Sequence, residues 1–348
     1  MPALGEMLEK LNPWHRDDQP PPPPPLTPWA AGLLLVFYAL IYVLPFYASS
    51  LTRPSPTLSR DAPSVIKARI TSVTISCLIC CLSTYLILTP GFPTGNNETG
   101  LSSNHVIHLM GFWPLAVVDS LRALLLTGLL FLGPLFLYFV VESGWRDWLH
   151  LDPLREIYSD WTAWRNLVAG PITEEILFRS ASIPLMLASQ TSINKTIFLT
   201  PIIFGISHVH HFYEFRLTNP QVPAKAAFAR SIFQLAFTTL FGAYATFIFL
   251  RTGSLLAVCA VHTFCNSMGL PQVWGRVEPS GEGIVPVPVP TTGSLLSHGQ
   301  TQTRRASVLW TVSYYLLLVG GAVGFYRNLW VLTEGGNSLV ESGAFVSS

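Results

Sequence analysis

The chain has 348 residues, of which half are hydrophobic and only 11% are charged, whereas soluble domains carry about 25% charged residues. Its formal net charge of +1 provides no basic field for a nucleic-acid partner. The composition therefore excludes an ordinary soluble domain and predicts an integral membrane protein in contact with the lipid bilayer.

Eight apolar segments along the chain are long enough to be interpreted as membrane-spanning helices, which need about 20 residues. They lie at 28–49, 69–89, 121–141, 166–189, 197–212, 230–250, 254–271 and 307–326. A further apolar stretch at 105–118 is predicted to be interfacial or re-entrant. The pattern predicts an all-α, polytopic integral membrane protein of about eight transmembrane helices.

The spans divide the chain into three regions. Residues 1–27 form a polar N-terminal tail, in which the run Pro20–Pro25 predicts a stiff polyproline II spacer. Residues 28–326 form the membrane domain, and residues 327–348 form a C-terminal tail. The first span is too long for a cleaved signal peptide and no small-residue cleavage site follows it, so we expect it to stay in the protein.

Basic residues in short loops indicate the side of the membrane that each loop faces. The segment 53–69 carries four of them, whereas the loop across 89–104 has none and carries an N-glycosylation sequon at Asn97. Three later loops also carry Arg or Lys, at 142–165, 213–229 and 272–306. These basic loops are predicted to face the cytosol, and both chain termini the lumen.

The cysteines all lie within predicted spans, and no CxxC pair faces a second one, which argues against a zinc ribbon or a disulfide framework. They are Cys77, Cys80, Cys81, Cys259 and Cys265. We interpret them as small apolar packing residues.

The fourth span contains Glu174, Glu175 and Arg179 in an otherwise apolar sequence. An ionisable residue at the centre of a membrane helix costs about 2.5–3.5 kcal/mol and usually marks function. Glu175 and Arg179 are spaced i, i+4 in the order that favours an ion pair. Such a pair leaves Glu174, about 100° round the helix, for chemistry.

Two other spans carry polar residues in the same, cytosolic half of the bilayer. His208 lies near the end of the fifth span, and His262 and Asn266 share one face of the seventh at i, i+4. A carboxylate beside a histidine can deprotonate a water molecule, and a facing His and Asn can donate to an oxyanion. The alternative is a buried polar network that only holds the helices together.

Three short sequences in this order, EEILFR, FGISH and HTFCN, resemble the motifs of the type II CAAX prenyl endopeptidases. These are the Ras-converting enzymes within the group of CAAX proteases and bacteriocin-processing proteins. The flanking sequences RNLVAGPITEE and FTTLFGAYATFIFLRTG resemble the eukaryotic branch. The resemblance is strong over about residues 160–275 and looser over the layout of the spans.

The resemblance implies an endopeptidase that removes the last three residues of farnesylated or geranylgeranylated CAAX proteins at the cytosolic face of the endoplasmic reticulum. It implies that Glu174 and His208 activate the water, and that His262 and Asn266 form the oxyanion hole. Glu175 and Arg179 would support this site, which would open to the cytosol. No cofactor is expected.

Other interpretations stay open at this point. The zinc motif His-Glu-x-x-His is absent, but Glu and His from several helices could still hold zinc. Cys265 lies three residues after His262 and could be a nucleophile, although a thiol in apolar surroundings is inert. The buried Glu and His residues could also serve a transporter or a non-catalytic binding protein. His210 and His211 are interpreted as structural or interfacial.

Overall fold

The computed structural model describes residues 24–89, 101–277 and 308–345, which form helices joined by turns and contain no strand. In chain order, the α-helices are α1 (Pro28–Val43), α2 (Pro45–Ala48), α3 (Pro63–Leu88), α4 (Ser103–Leu109), α5 (Val117–Leu130), α6 (Leu132–Phe136), α7 (Trp145–Leu149), α8 (Asp152–Ser159), α9 (Trp161–Trp164), α10 (Gly170–Glu175), α11 (Ile183–Ala188), α12 (Ile193–Ser207), α13 (His210–Thr218), α14 (Ala224–Thr252), α15 (Leu255–Met268) and α16 (Val308–Leu332). π-Helical segments occur at Leu137–Val141, Arg165–Ala169 and Ile176–Ala181, and a 3₁₀-helix occurs at Ser342–Phe345.

Some sequence features fall outside the described residues. They are most of the proline run Pro20–Pro25, the sequon at Asn97, and the part of the basic loop 272–306 that follows Val277.

Several helical stretches in the described part of the chain are long and apolar enough to cross a membrane. They are Pro28–Ala48, Pro63–Leu88, Ala224–Thr252 and Val308–Leu332. One more span is made by Val117–Leu130 and Leu132–Val141 if this pair, bent by 81°, counts as a single crossing. These findings confirm an all-α, polytopic membrane protein, but they do not confirm the predicted count of about eight spans.

The remaining predicted spans coincide with shorter helices. The segment 197–212 corresponds mainly to α12, which has 15 residues, and 254–271 corresponds to α15, which has 14. The segment 166–189 is divided into short α-helical and π-helical pieces. Its residues from Leu177 to Met186 are all buried. Irregular backbone is tolerated at membrane depth where other parts of the protein cover it.

The long helices carry large apolar side chains on their outer faces. Examples are Leu33 and Phe37 on α1, Leu78 and Leu82 on α3, and Leu316 on α16, all of which are exposed. Exposed apolar side chains on helices of this length fit a lipid-facing surface.

The segment 170–188 lies between two hydrophobic clusters. Leu177 and Leu185 belong to a cluster shared with α1 and α3. Ile183 belongs to a second cluster, shared with α14 and α15. The charged residues of this segment are therefore held in the protein interior, between helices that come from both halves of the chain.

α12 and α14 pack closely because glycines face the contact. A Cβ atom at Gly242 of α14 would lie 2.8 Å from Cβ of Pro201 on α12, and one at Gly205 would overlap Thr239. The carbonyl oxygen of Gly242 accepts from Nη2 of Arg179. The helix that packs against α12 thus supplies one hydrogen-bond acceptor of the buried guanidinium.

Candidate active site

The helix that carries the glutamates contains a π-helical turn at Arg165–Ala169, directly before Gly170 and Pro171. The N–H of Gly170 bonds to the carbonyl of Arg165, five residues back, and Pro171 has no N–H to donate. The carbonyl oxygens of Asn166 and Leu167 are consequently free to accept other donors. Side chains of α15 supply those donors. Hydrogen bonds at this widened turn therefore connect α15 to the helix that carries the glutamates.

The donors are Asn266 and Thr263. Nδ2 of Asn266 lies 3.0 Å from the carbonyl oxygen of Asn166, and the hydroxyl of Thr263 donates to the carbonyl oxygen of Leu167 over 2.8 Å. Sequence analysis selected Asn266 but missed Thr263. Pro171 could have indicated that such a donor is needed, because a proline leaves the carbonyl four residues earlier, here that of Leu167, without its helical hydrogen bond.

Glu175 and Arg179 form the predicted i, i+4 ion pair, and both side chains are fully buried. Nη1 of Arg179 lies 3.2 Å from Oε1 and 3.1 Å from Oε2 of Glu175. Nη2 donates to the carbonyl oxygen of Gly242 over 3.1 Å. The guanidinium also lies over the ring of Phe204, 5.0 Å from its centroid. A buried ion pair persists only with such further partners.

His262 lies between the two glutamates. Its Nδ1 is 2.6 Å from Oε1 of Glu175, and its Nε2 is 3.8 Å from Oε2 of Glu174. Because a carboxylate only accepts hydrogen bonds, Nδ1 of His262 is the donor to Glu175. The ring packs against Phe241 at a centroid distance of 4.5 Å. This arrangement fixes the imidazole and directs Nε2 toward Glu174.

Glu174 is the accessible member of the charged group, since its side chain is 22% exposed. Thr173, which precedes Glu174, forms contacts with both α1 and α3. The hydroxyl of Tyr42 on α1 lies 3.1 Å from that of Thr173, and the thiol of Cys77 on α3 donates to the Thr173 carbonyl over 3.2 Å. Sequence analysis did not identify these contacts, which orient the α10 helix and thereby Glu174.

His208 caps the C-terminal end of α12 and reaches the site through an aromatic contact. Its Nδ1 donates to the carbonyl oxygen of Phe204 over 2.8 Å, which leaves the lone pair on Nε2. The ring packs edge-on against Phe204 at 4.8 Å, and Phe204 packs against Phe178 at 4.9 Å. In the described structure His208 makes no direct hydrogen bond to Glu174.

The structure thus brings Glu174, Glu175, Arg179 and His262 into one charged group. His208 lies one aromatic ring away from Arg179, and Asn266 lies one helical turn from His262. Two carboxylates beside a guanidinium and an imidazole can hold a water molecule, move its proton and stabilise a developing negative charge.

Other chemistry-bearing residues lie nearby. All five cysteines are free thiols, and Cys265 is partly buried among the apolar side chains of α14 and α15. Among the residues that the structure describes, no three His, Cys, Asp or Glu side chains converge as metal ligands. His210 and His211 lie at the start of α13, beside a second charged group around Glu214.

The carboxyl of Glu214 is ionised by its neighbours. Burial opposes ionisation, but the hydrogen bond with His211 and the charges of Arg60 and Arg69 together hold the pKa of Glu214 below its ordinary value. Because this pKa is lowered on folding, the stability that Glu214 contributes is present above the ordinary pKa. It is lost as the pH falls toward the lowered one.

Comparison with known proteins identifies relatives over most of the chain. A family model described as Type II CAAX prenyl endopeptidase Rce1-like matches residues 158–268, which include every site residue named above except Tyr42, Cys77 and the arginines at 60 and 69. A protein named "Probable CAAX prenyl protease 2" from Schizosaccharomyces pombe is 33% identical over 305 residues, covering 88% of this chain and 94% of that protein. "CAAX prenyl protease 2" of Homo sapiens is 33% identical over 286 residues, covering 80% and 84%. The protein of that name from Saccharomyces cerevisiae is 29% identical over 262 residues, covering 69% and 79%. No solved structure matches the chain.

Proposed function

The chain belongs to the family of type II CAAX prenyl endopeptidases, and from this premise we propose that it hydrolyses prenylated CAAX tails with a water molecule activated at Glu174. Relatives that cover most of the chain carry the name of a prenyl protease, so the chain is an intramembrane endopeptidase. The proposed substrate is the C-terminus of a farnesylated or geranylgeranylated CAAX protein. The proposed product is the chain shortened by its last three residues.

The observation that best supports this mechanism is the position of His262 between Glu175 and Glu174. Glu175 accepts from Nδ1 of His262. The proposed mechanism uses the imidazolium form of the ring, whose Nε2–H faces the reaction site. Arg179 pairs with the same carboxylate of Glu175, and such pairing is the condition for burying a charge.

In the proposed hydrolysis Glu174 acts as the general base. It takes one proton from the water while the water oxygen attacks the carbonyl carbon of the scissile peptide bond. Nε2 of His208 accepts a hydrogen bond from the same water and orients it. The accessible carboxylate of Glu174 and the free lone pair of His208 suit these two roles.

The electrons of the carbonyl bond move to its oxygen, which becomes an oxyanion. Nε2–H of His262 and the second N–H of the Asn266 amide donate to it, while the first N–H of that amide stays on the Asn166 carbonyl. The intermediate then expels the amine of the tripeptide, which receives the proton held by Glu174. The other product carries the new carboxylate.

The cellular placement is also proposed. The basic loops at 142–165 and 213–229 support a cytosolic opening, because positive residues stay on that side. We place the enzyme in the endoplasmic reticulum membrane. Single cysteines at Arg155 and Lys225, in a cysteine-free background, should react with an impermeant reagent added outside sealed microsomes. Labelling only after permeabilisation would contradict the cytosolic opening.

Release of a tripeptide from a synthetic prenylated peptide by the purified protein tests the proposed activity. We expect mass spectrometry to find the free tripeptide and the shortened prenylated peptide in equal amounts. A protein that binds the peptide and releases no tripeptide would contradict the proposal.

A further inference from the structure

A second charged group lies beside His208 and has no part in the mechanism above. The side chain of Glu214, only 4% exposed, accepts from Nη2 of Arg69 over 2.8 Å and from Nη1 of Arg60 over 3.2 Å. Nδ1 of His211 lies 3.4 Å from the same carboxylate. The ring of His211 is 5.8 Å from that of His208. The group therefore borders the reaction site.

The loop before α3 connects this group to the helix of the glutamates. Nη1 of Arg165 donates to Oδ1 of Asp61 over 2.8 Å and to the carbonyl oxygen of Arg60 over 3.4 Å. Arg165 begins the π-helical segment that leads to Glu174. Arg60 consequently lies between the segment that carries Glu174 and the segment that carries His208.

This group has an unbalanced charge. The guanidinium groups of Arg60, Arg69 and Arg165 face two carboxylates, those of Asp61 and Glu214, which leaves an excess of one positive charge. Arg60 is the most exposed of the three arginines, with 36% of its side chain accessible. One further anion could approach it without displacing Arg69 from Glu214.

The helical distance from Glu174 to Arg165 is about 4 Å longer than an extended tripeptide. Three residues in extended conformation reach about 10 Å. Arg165 precedes Glu174 by nine residues, which correspond to about 14 Å of helix. If the scissile bond lies at Glu174 and the tripeptide runs toward the loop, its terminal carboxylate ends about 4 Å short of Arg165, a gap that a long arginine side chain can cover. A guanidinium offers two parallel N–H donors that match a carboxylate.

We propose that Arg60, supported by Arg165, binds the α-carboxylate of the substrate's last residue. This inference rests on the proposed function, since it assigns the position of the substrate in that site. Binding of the terminal carboxylate would then place the bond three residues from the chain end at Glu174. A substrate whose C-terminus is uncharged is therefore expected to be cleaved poorly. Arg60 is then a specificity-determining residue of the endopeptidase.

The test compares two prenylated peptides that differ only at the C-terminus, one ending in a carboxylate and the other in a carboxamide. The full chain is reconstituted in vesicles of neutral phosphatidylcholine, and kcat/KM for tripeptide release is measured for both. The wild type should prefer the carboxylate by about 10- to 100-fold, the loss expected for a hydrogen bond to a charged group. Arg60→Gln should cleave both peptides at similar rates.

Two further variants make the comparison specific. Arg53→Gln removes an exposed positive charge from the same loop and should keep the wild-type preference. Arg60→Lys keeps the charge but loses the fork of donors, so its preference should lie between those of the wild type and Arg60→Gln. Glu214 keeps Arg69 in both Arg60 variants, which favours folding.

The outcomes separate this inference from the proposed function. Equal cleavage of both peptides by the wild type, or an unchanged preference in Arg60→Gln and Arg60→Lys, would overturn the carboxylate site and leave the protease activity intact. Failure of the wild type to release any tripeptide would overturn both. If Arg60→Gln instead abolishes a stimulation by added anionic lipid while the preference persists, the arginines bind a lipid headgroup and the inference is wrong.

Discussion

Nδ1 of His262 lies 2.6 Å from Oε1 of Glu175, although the two residues are 87 positions apart in the chain. The contact joins α15 to the helix of the glutamates at the same carboxylate that receives Arg179. Glu175 therefore has two roles, because it neutralises a buried guanidinium and also fixes the orientation of the histidine that faces Glu174.

Replacing the proposed base should abolish cleavage without unfolding the protein. Glu174→Gln keeps the shape but cannot take a proton, so we expect kcat to fall by about 10²- to 10⁴-fold. Tripeptide release from a prenylated peptide measures this, and Glu156→Gln, on the exposed helix α8, is the matched control. Turnover at the wild-type rate in Glu174→Gln would falsify the assignment of the base.

Removing the carboxylate of Glu175 should affect stability and activity together. Glu175→Gln leaves the buried Arg179 without its counter-ion, which typically costs about 3–5 kcal/mol in the free energy of unfolding. The double variant Glu175→Gln, Arg179→Leu should regain part of that stability, as measured by denaturation in detergent. It should not regain the lost kcat, because the amide oxygen can still accept from Nδ1 of His262 but carries no negative charge. Recovery of both would mean that Glu175 serves only the ion pair.

The widened turn at Asn166 and Leu167 gives a prediction about stability alone. Thr263→Val removes the donor to the Leu167 carbonyl and should lower the free energy of unfolding by about 1–3 kcal/mol. Pro171→Ala supplies a backbone N–H in reach of the same carbonyl. The change in the free energy of unfolding of the double variant should therefore be less destabilising than the sum of the changes in the two single variants. Additive effects would show that the two sites are independent.

Chelation tests the choice between a glutamate base and a bound metal. If Glu174 and His208 activate the water, exhaustive treatment with a chelator should leave turnover unchanged. Metal analysis of the purified protein should then find less than one equivalent. Zinc found at one equivalent, lost together with activity and restored with it, would instead support a metalloprotease.

A variant without cysteines should still release tripeptide. The five thiols are Cys77, Cys80, Cys81, Cys259 and Cys265. None reacts in the proposed mechanism: Cys77 only supports the Thr173 carbonyl, and Cys265 is partly buried among apolar side chains. Replacement of all five by Ala or Ser should therefore retain measurable kcat/KM in the peptide assay. Complete loss of turnover in Cys265→Ala, with an unchanged unfolding transition, would point to a thiol nucleophile.

The sequence predicts the membrane class, the family and the i, i+4 pair of Glu175 and Arg179, because these depend on composition, motifs and local spacing. It does not predict the bond between His262 and Glu175. That contact depends on the relative rotation of two helices, which packing rather than spacing determines. The motif alone therefore assigned Glu175 to the support of Arg179 and left its second partner unknown.

The sequence also does not predict the lengths of the individual helices. Hydropathy predicts one span at 166–189, although this segment contains Gly170, Pro171 and Pro184, which are unfavourable inside an α-helix. These residues are tolerated because neighbouring helices supply the missing donors, as Thr263 does for Leu167. Such compensation comes from another part of the chain, so a window that moves along the sequence cannot detect it.

The shortness of α15 has a consequence for the surrounding lipid. Its 14 residues extend about 21 Å, whereas the hydrocarbon layer of a bilayer is about 30 Å thick. Such a mismatch is relieved by thinning of the bilayer or by water entering beside the helix end. The scissile bond of a lipid-anchored tail then needs to descend a shorter distance to reach Glu174, and turnover should depend on the acyl-chain length of the host membrane.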